Sequence, residues 1–383
     1  MAVSLLCLFP SFLCAMKRRT LLAQTGLGAT ALTAAATVKV AAQAPVSSPS
    51  QPAIRWRMAT AFPKSLDIMF STIESLCQQV SDMTGGKFVI TPYPVGDIAP
   101  AAKVLDTVTE GTTECGCTIS LYYTDRIPAL GFTGGIPFGL NAQQQNAWLF
   151  YGGGLEATQK IYRTLGLINY PAGNIGGQMG GWFRREIETV DDLKGLKIRI
   201  AGLGGSLLKR LGAEVQILGP DEILPALVAE KIEAVEFLGP YDDEKLGLHK
   251  ATRYYYSPSW WEPGASNELL INLNQWQTLP QDYQTILQLA ATEAHHKLLA
   301  RYTAANSAAL ERLLANGVQL KTFSPEFVQA TYQAAVAMYE ELASQDPQFR
   351  EVYQPWKAFR SKIHKWNRVN EMGFATFAFN AGN

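Results

Sequence analysis

Two rhythms of apolar and polar positions run along the chain, one with the two-residue period of a strand and one with the three- and four-residue spacing of a helix that buries one face. The segments "IRWRMAT" (Ile54 to Thr60), "KFVITPY" (87–93), "TECGCTIS" (113–120) and "LINYPAG" (167–173) read as strands. Between them, "SLDIMFSTIESLCQQVSDMTGG" (65–86) reads as an amphipathic helix stopped by Gly85 and Gly86, "AAKVLDTVTEG" (101–111) as a short helix, and the region from about Asn141 to Leu165 as helical. A second block comes after: strands at "MGGWFR" (179–184), "KIRIAG" (197–202), "EVQILG" (214–219) and "IEAVEFLG" (232–239), with helices expected over Gly205 to Leu211 and Pro220 to Lys231. "ATRYYYSPSWW" (251–261) and "ASNELLINL" (265–273) read as long extended segments, and the chain after Pro280 as almost wholly helical. Such alternation predicts an α/β fold with mostly parallel sheets. Two blocks of it predict two lobes in a clamshell with a long C-terminal helical region. The expected division is lobe one over 54–173 plus about 262–300, and lobe two over 174–261 plus about 301–383.

The N-terminus changes this picture by adding an address. From Met16 the text "MKRRTLLAQTGLGATALTAAATVKVAAQA" places Arg18 and Arg19 before a mildly apolar run and an Ala42-Gln43-Ala44 site, the pattern of a twin-arginine export leader over residues 1–44. Residues 1–15 are themselves apolar, unlike the start of such a leader, which favours Met16 as the true start; one long uncleaved anchor is the competing reading. A Pro/Ser linker covers 45–53, and no run of 18 apolar residues comes after it, so the mature chain is expected to be soluble and periplasmic.

Composition mainly excludes. The 383 residues carry 33 basic and 33 acidic side chains, and no long basic run lies beyond the leader, which argues against nucleic acid as a partner. Any group that binds an anion must act locally. Of five cysteines, Cys77, Cys115 and Cys117 lie beyond the leader and read as small core residues. Hydrolase elbows, zinc helices, paired Cys-x-x-Cys motifs and phosphate loops are missing. The four histidines, His249, His295, His296 and His364, read as surface or capping residues. Gly202-Leu203-Gly204-Gly205 after "KIRIA" is a partial dinucleotide fingerprint whose third glycine position is Leu207, which keeps an exported oxidoreductase as an alternative.

Binding residues are better represented. Arg199 lies near the carboxyl end of a strand, where open α/β sheets hold ligands, although a surface arginine paired with a nearby acid fits the same text. "GNIGGQMGGWFRREI" (173–187) has five glycines around the amide Gln178. Glu236 ends an apolar strand before Gly239-Pro240, as ligand or as helix cap. Glu262 follows the aromatic run "YYYSPSWW", which is either core or ligand wall, and "SLYYTDR" puts Tyr122 or Tyr123 within reach of a cleft.

The order of twin-arginine leader, "DLKGLKIRIAG", "EVQILGPDEILPALVAEKIEAVEFLGP" and C-terminal helices resembles the solute receptors of TRAP transporters, bacterial solute-binding protein family 7. "GGQMGGWFRREI" with "YYYSPSWWEPG" is most similar to the branch that takes up pyruvate and related 2-oxo monocarboxylates. The resemblance, over about Ile54 to Asn383, implies a type II-like periplasmic-binding-protein clamshell, and a receptor rather than an enzyme. It implies delivery of an organic acid to a membrane permease, with lactate or another organic acid as the alternative cargo, and a homodimer through the helical tail. It also implies Arg199 as carboxylate anchor, Gln178 and Glu262 as further substrate residues beside the Tyr122 and Tyr123 read from "SLYYTDR", and a metal cation. Sodium is favoured over calcium for that cation, held among Gln178, Glu236, Phe237 and Glu262. Where the branch has Trp after the acid, this chain has Phe237.

Overall fold

The structure, a computed structural model, describes residues 52–381. The export leader and most of the Pro/Ser linker lie outside the described residues. These residues build two sheets. The first has the order β2-β1-β3-β10-β4, from β1 (Ile54–Thr60), β2 (Phe88–Tyr93), β3 (Cys115–Thr118), β4 (Leu167–Gly176) and β10 (Ala265–Asn272). The second has the order β11-β9-β5-β8-β6-β7, from β5 (Gly181–Phe183), β6 (Lys197–Arg199), β7 (Glu214–Gln216), β8 (Ala234–Val235), β9 (Tyr254–Ser257) and β11 (Gln319–Thr322). Helices cover the sheets, giving an α/β two-lobed architecture. Among the described residues no helix is long and apolar enough to cross a membrane.

Several sequence expectations are corrected. The sheets are mixed rather than mostly parallel: β1 pairs in parallel with β2 and β3, but β10 runs antiparallel between β3 and β4, and β5 antiparallel between β8 and β9. The cause is connectivity, because a strand that enters a sheet from the other lobe needs no helical crossover and is free to run in reverse. The helical tail is interrupted by β11, which returns to the second sheet and pairs with β9. The helix expected over 141–165 is two helices, Ala142–Tyr151 and Gly154–Thr164, split at Gly152 and Gly153. Within 251–261 extended structure is confined to β9, and the Ser257–Pro258 bond that comes after it is cis. His295 is fully buried, with Nε2 at 2.7 Å from Asn146 Oδ1, and so is a core residue of the long helix Gln281–Ala315.

The chain passes between the sheets three times, twice by short segments and last through the helix Gln281–Ala315. The first, between β4 and β5, carries Gln178; the second, between β9 and β10, carries Glu262. The helix Gln281–Ala315 packs on β4 of the first sheet and on helix Pro240–Leu246, which comes after β8 of the second. Across the cleft, Asp67 at the start of helix Asp67–Met83 pairs with Lys245 and accepts a hydrogen bond from the Tyr241 hydroxyl at 3.1 Å. Cys77, Cys115 and Cys117 are free and buried in the first lobe, where burial pushes each thiol pKa up and leaves it protonated.

Glu268 on β10 is the first lobe's buried acid. Its carboxylate accepts from Asn169 Nδ2 at 2.6 Å, Tyr162 at 2.7 Å and Thr133 Oγ1 at 2.8 Å, yet burial outweighs these donors and pushes its pKa from 4.5 up to about 7. A folded-state pKa above the unfolded value means that the native chain holds a proton the unfolded chain has released. Stability from this group therefore falls as pH rises from about 4.5 to about 7. The variant Glu268→Gln is expected to show a smaller loss of melting temperature between pH 5 and pH 8 than the parent, measured by calorimetry. An identical pH profile would remove Glu268 as a source of the dependence.

Candidate functional site

The site is set by register. In the parallel pairing of β6 with β8, Arg199 lies beside Val235, and the Glu236 amide donates to the Arg199 carbonyl at 2.9 Å. Two residues at the carboxyl ends of neighbouring strands, one cationic and one acidic, are thereby forced together. Arg199 is 4% exposed and Glu236 2%. The guanidinium donates through Nε to the Leu218 carbonyl at 3.1 Å and through one terminal nitrogen to the Glu236 carbonyl at 2.6 Å. That nitrogen is 3.7 Å from Glu236 Oε2, and the guanidinium lies over the Phe237 ring, 5.3 Å from its centroid. Arg199 is thus held by main-chain oxygens more than by a carboxylate partner, and is no surface arginine.

Gln178 reaches this pair because its turn is tied to it. The Met179 amide donates to the Leu238 carbonyl at 3.1 Å and that of Gly180 to the Tyr256 carbonyl at 2.7 Å. Gly181, at φ +108°, completes the turn. A β-carbon there would come within 2.8 Å of the Val235 carbonyl, so only glycine lets β5 lie this close to β8. One end of the buried Gln178 amide sits 3.0 Å from Glu236 Oε1 and 3.3 Å from the Phe237 carbonyl oxygen. With its nitrogen on that side the amide donates to both. With its oxygen there, three oxygens converge, an arrangement that a bound cation stabilises.

Glu262 enters from the second crossing segment, 3% exposed. The rings of the two tryptophans before it lie 3.8 Å apart between centroids, tilted by 43°, and Trp260 packs on Phe138, Phe323 and Phe327, so the aromatic run is core and does not wall the cavity. A β-carbon at Gly202, which has φ +71°, would lie 3.2 Å from a Glu262 carboxylate oxygen and 2.9 Å from Leu121. Glycine there lets helix Gly202–Arg210 start against the site. Gly204 and Gly205 pack on Trp261, Ile200 and Val215 inside that helix, so the Gly202 loop of the dinucleotide alternative does not exist.

Tyr122 and Tyr123 diverge. Tyr122 lines the cavity, whereas the Tyr123 hydroxyl turns into the first lobe's core, 2.8 Å from Thr118 Oγ1 and accepting from the Leu105 amide at 3.2 Å. The structure therefore brings together Arg199, Gln178, Glu236, Phe237, Glu262 and Tyr122, and leaves Tyr123 outside. Sequence reasoning missed the apolar wall, which includes Phe62, Leu66, Ile119 and Ile175. These carry no chemical signature; their one legible signal is that they sit at or just beyond the carboxyl ends of strands β1, β3 and β4, where open sheets bind ligands.

The cavity measures about 40 Å³ of space open to the centre of a water molecule. Its electrostatics are unbalanced, with two carboxylates facing one guanidinium. Burial pushes Glu236 up to about 8, against the pull of Arg199 and with a contribution from Asp243. Glu262 is raised well above the usual range by burial first and by Glu236 second. Burial also raises the Tyr122 hydroxyl, opposed by Arg199. Among the described residues no three His, Cys, Asp or Glu side chains are grouped as a metal site. One carboxylate, one amide and one main-chain carbonyl instead form a partial set of hard oxygen donors.

The chain has relatives of known kind. Residues 59–346 match the model of the bacterial extracellular solute-binding protein family 7. A monocarboxylate 2-oxoacid-binding periplasmic protein of Nostoc is 50% identical over 363 residues, which cover 95% of this chain and 99% of that protein. A TRAP transporter solute-binding protein from Bordetella bronchiseptica, solved as a mixed-occupancy dimer with calcium and picolinate, superposes with a TM-score of 0.85 at 42% identity. That match covers 86% of this chain and 98% of the other. One from Colwellia psychrerythraea with calcium and pyruvate gives 0.82 at 32% identity, covering 84% and 99%. One from Pseudoalteromonas atlantica with sodium and pyruvate gives 0.82 at 31% identity, covering 84% and 98%. The chain belongs to bacterial extracellular solute-binding protein family 7, the non-catalytic periplasmic receptors of TRAP transporters.

Proposed function

We propose that this receptor binds a small 2-oxo monocarboxylate, pyruvate or a near homologue, together with a metal cation, and delivers it to a TRAP membrane permease. The observation that carries the reading is the pairing of a main-chain-held guanidinium with a convergent oxygen set in one small, otherwise apolar cavity. Arg199 supplies a planar donor fork suited to a carboxylate. The short apolar wall suits a small aliphatic body, and the name of the Nostoc relative and the two pyruvate-bound structures agree with both.

A cation explains what Arg199 alone does not. A monoanionic substrate beside an ionised Glu236 would be repelled. A bound cation supplies the missing positive charge and a hard centre for oxygen ligands. Gln178 through its amide oxygen, Glu236 through its carboxylate and Phe237 through its carbonyl are the residues that would hold it, with Glu262 as a more distant candidate. Because Phe237 would act through its main chain, the change from Trp affects the ring over Arg199 and the size of the cavity rather than the donor set. Sodium is the proposed ion: burial raises both acids, but a cation on the Glu236 carboxylate opposes that and keeps it ionised while Glu262 stays protonated, so Arg199, Glu236, the substrate and one monovalent cation sum to zero charge. Export of the folded chain through the twin-arginine route belongs to the same reading, on the strength of Arg18 and Arg19.

The tail supports a dimer. Helix Glu371–Asn380 has no buried residue, and Trp366, Val369, Met372, Phe374 and Phe377 are 58% to 78% exposed. Exposed apolar side chains in such density mark an interaction surface, and the Bordetella relative crystallised as a dimer. The proposed occupant is a second copy of this chain.

Two measurements test these statements. Calorimetric titration of chelator-treated protein with pyruvate is expected to give binding with sodium present and none without a cation. The variant Arg199→Lys is expected to weaken that binding tenfold or more, about 1.4 kcal/mol, while remaining folded. Calcium supporting binding where sodium fails would reassign the ion, equal binding without either would remove it, and lactate or another organic acid binding in place of every 2-oxo acid would reassign the substrate. Light scattering on a chain ending at Val369 is expected to show a monomer where the full mature chain is a dimer; unchanged mass would place the dimer interface elsewhere or exclude it.

A further inference from the structure

A second cavity, about 330 Å³ by the same measure, lies against the first, and the two have Tyr122 and Pro220 in common and no other lining residue. The inner cavity, at about 40 Å³, holds on the order of three water-sized spheres, since one needs roughly 10–15 Å³. The outer one is eightfold larger, and Val95, Pro100, Ala101 and Ile217 give it apolar walls, with Asp221 and Glu222 on one side. The geometry points to Tyr122 and Pro220 as a length gate: they close the small substrate cavity off from a ready-made apolar groove, and so restrict this receptor to 2-oxo acids with short aliphatic tails. This rests on the proposed substrate class and adds to it the residues that set the chain-length limit.

Both halves of the gate are held in place. Tyr122 belongs to the turn Ser120–Tyr123 of the first lobe, and its ring packs edge-on against that of Tyr123, with centroids 6.5 Å apart. Tyr123 is itself anchored by Thr118 and the Leu105 amide. It is thus a positioning residue for Tyr122 rather than a substrate contact. Pro220 opens helix Pro220–Val228 in the second lobe, and the Glu222 carboxylate accepts from the Gly219 amide at 2.7 Å to fix that first turn. The preceding Leu218 carbonyl is the one that Arg199 Nε grips. The group proposed to hold the substrate carboxylate therefore also sets the position of the second jaw, so head recognition and tail limit share one strut. A tail admitted past the gate would meet apolar walls with two carboxylates beside them, which suits an uncharged aliphatic tail and not a second carboxylate.

The test compares pyruvate with 2-oxooctanoate by calorimetric titration, in sodium, on the full mature chain. The parent is expected to bind pyruvate at least about a hundredfold more tightly than 2-oxooctanoate, and Tyr122→Ala to narrow that ratio about tenfold or more. Tyr122→Phe, which keeps the ring and removes only the hydroxyl, is expected to leave the ratio within about threefold even if both affinities fall. Adding Ala102→Trp, at an exposed position in the groove wall, to Tyr122→Ala is expected to restore the parent ratio by filling the space the tail would take. If Tyr122→Ala leaves the ratio unchanged, or if Ala102→Trp does not restore it, the gate is wrong while the substrate class stands. If the parent binds neither acid, the substrate class fails and the gate falls with it.

Discussion

The hydrogen bonds that Arg199 gives to two main-chain carbonyls, Glu236 and Leu218, are the constraint on which the rest of the site depends. A guanidinium at 4% exposure is tolerated because those carbonyls satisfy two of its edges and leave the remainder facing the cavity. The same bonds join strand β6 to the residue just past β8 and to the loop after β7. Three strand ends of the second sheet are thereby locked into one surface. Without this strut the two acids would face each other in a low-dielectric space with nothing to oppose them, and the loop carrying Pro220 would lose its fixed distance from the ligand.

The other polar groups come from the segments where the chain leaves one sheet for the other, Gln178 in the first and Glu262 in the second. This placement has a mechanical reason. A residue at a crossing sits at the pivot of any rigid-body rotation of the lobes and moves little, whereas residues on opposite strand ends, such as Tyr122 and Pro220, approach or separate. Part of the polar lining can therefore be built at the pivot and remain in place while the apolar wall opens. The Asp67 to Lys245 pair, farther out on the cleft, lies where such a rotation makes and breaks contacts.

How much of this was legible in the sequence depended on whether a feature was local. Strands β1, β2, β3 and β6 show in the alternation, and Arg199 in "KIRI" shows as a cation at a strand's carboxyl end. What was not legible was which strand lies beside which. "ASNELLINL" reads as extended, but nothing in it reveals that it will run antiparallel between β3 and β4. Four residues of mostly exposed, polar β11 inside a helical tail have no periodicity to betray them. Gly202, Gly204 and Gly205 look like a phosphate loop until Trp261 and Ile200 are seen to pack on them. His295 has the polar character of a surface residue, and only the helix packing that delivers Asn146 to its ring makes it a core one. The family resemblance supplied Gln178, Glu236 and Glu262 as a set; their convergence comes from the β6–β8 register and the glycine turn before β5, which no single stretch of text encodes.

Strand β11 also determines when the receptor can exist at all. The second sheet takes its outermost strand from residues 319–322, and the first takes β10 from residues that come after five strands of the second. Neither lobe is a continuous stretch of chain, so neither is complete partway through synthesis. A nascent chain stopped before residue 319 leaves the β9 edge with unpaired main-chain groups, an open template for association with another chain. Contacts of such long sequence separation also close slowly. The pocket is therefore an all-or-none product of nearly the whole polypeptide, and a truncated copy is a hazard to its neighbours rather than a weaker receptor.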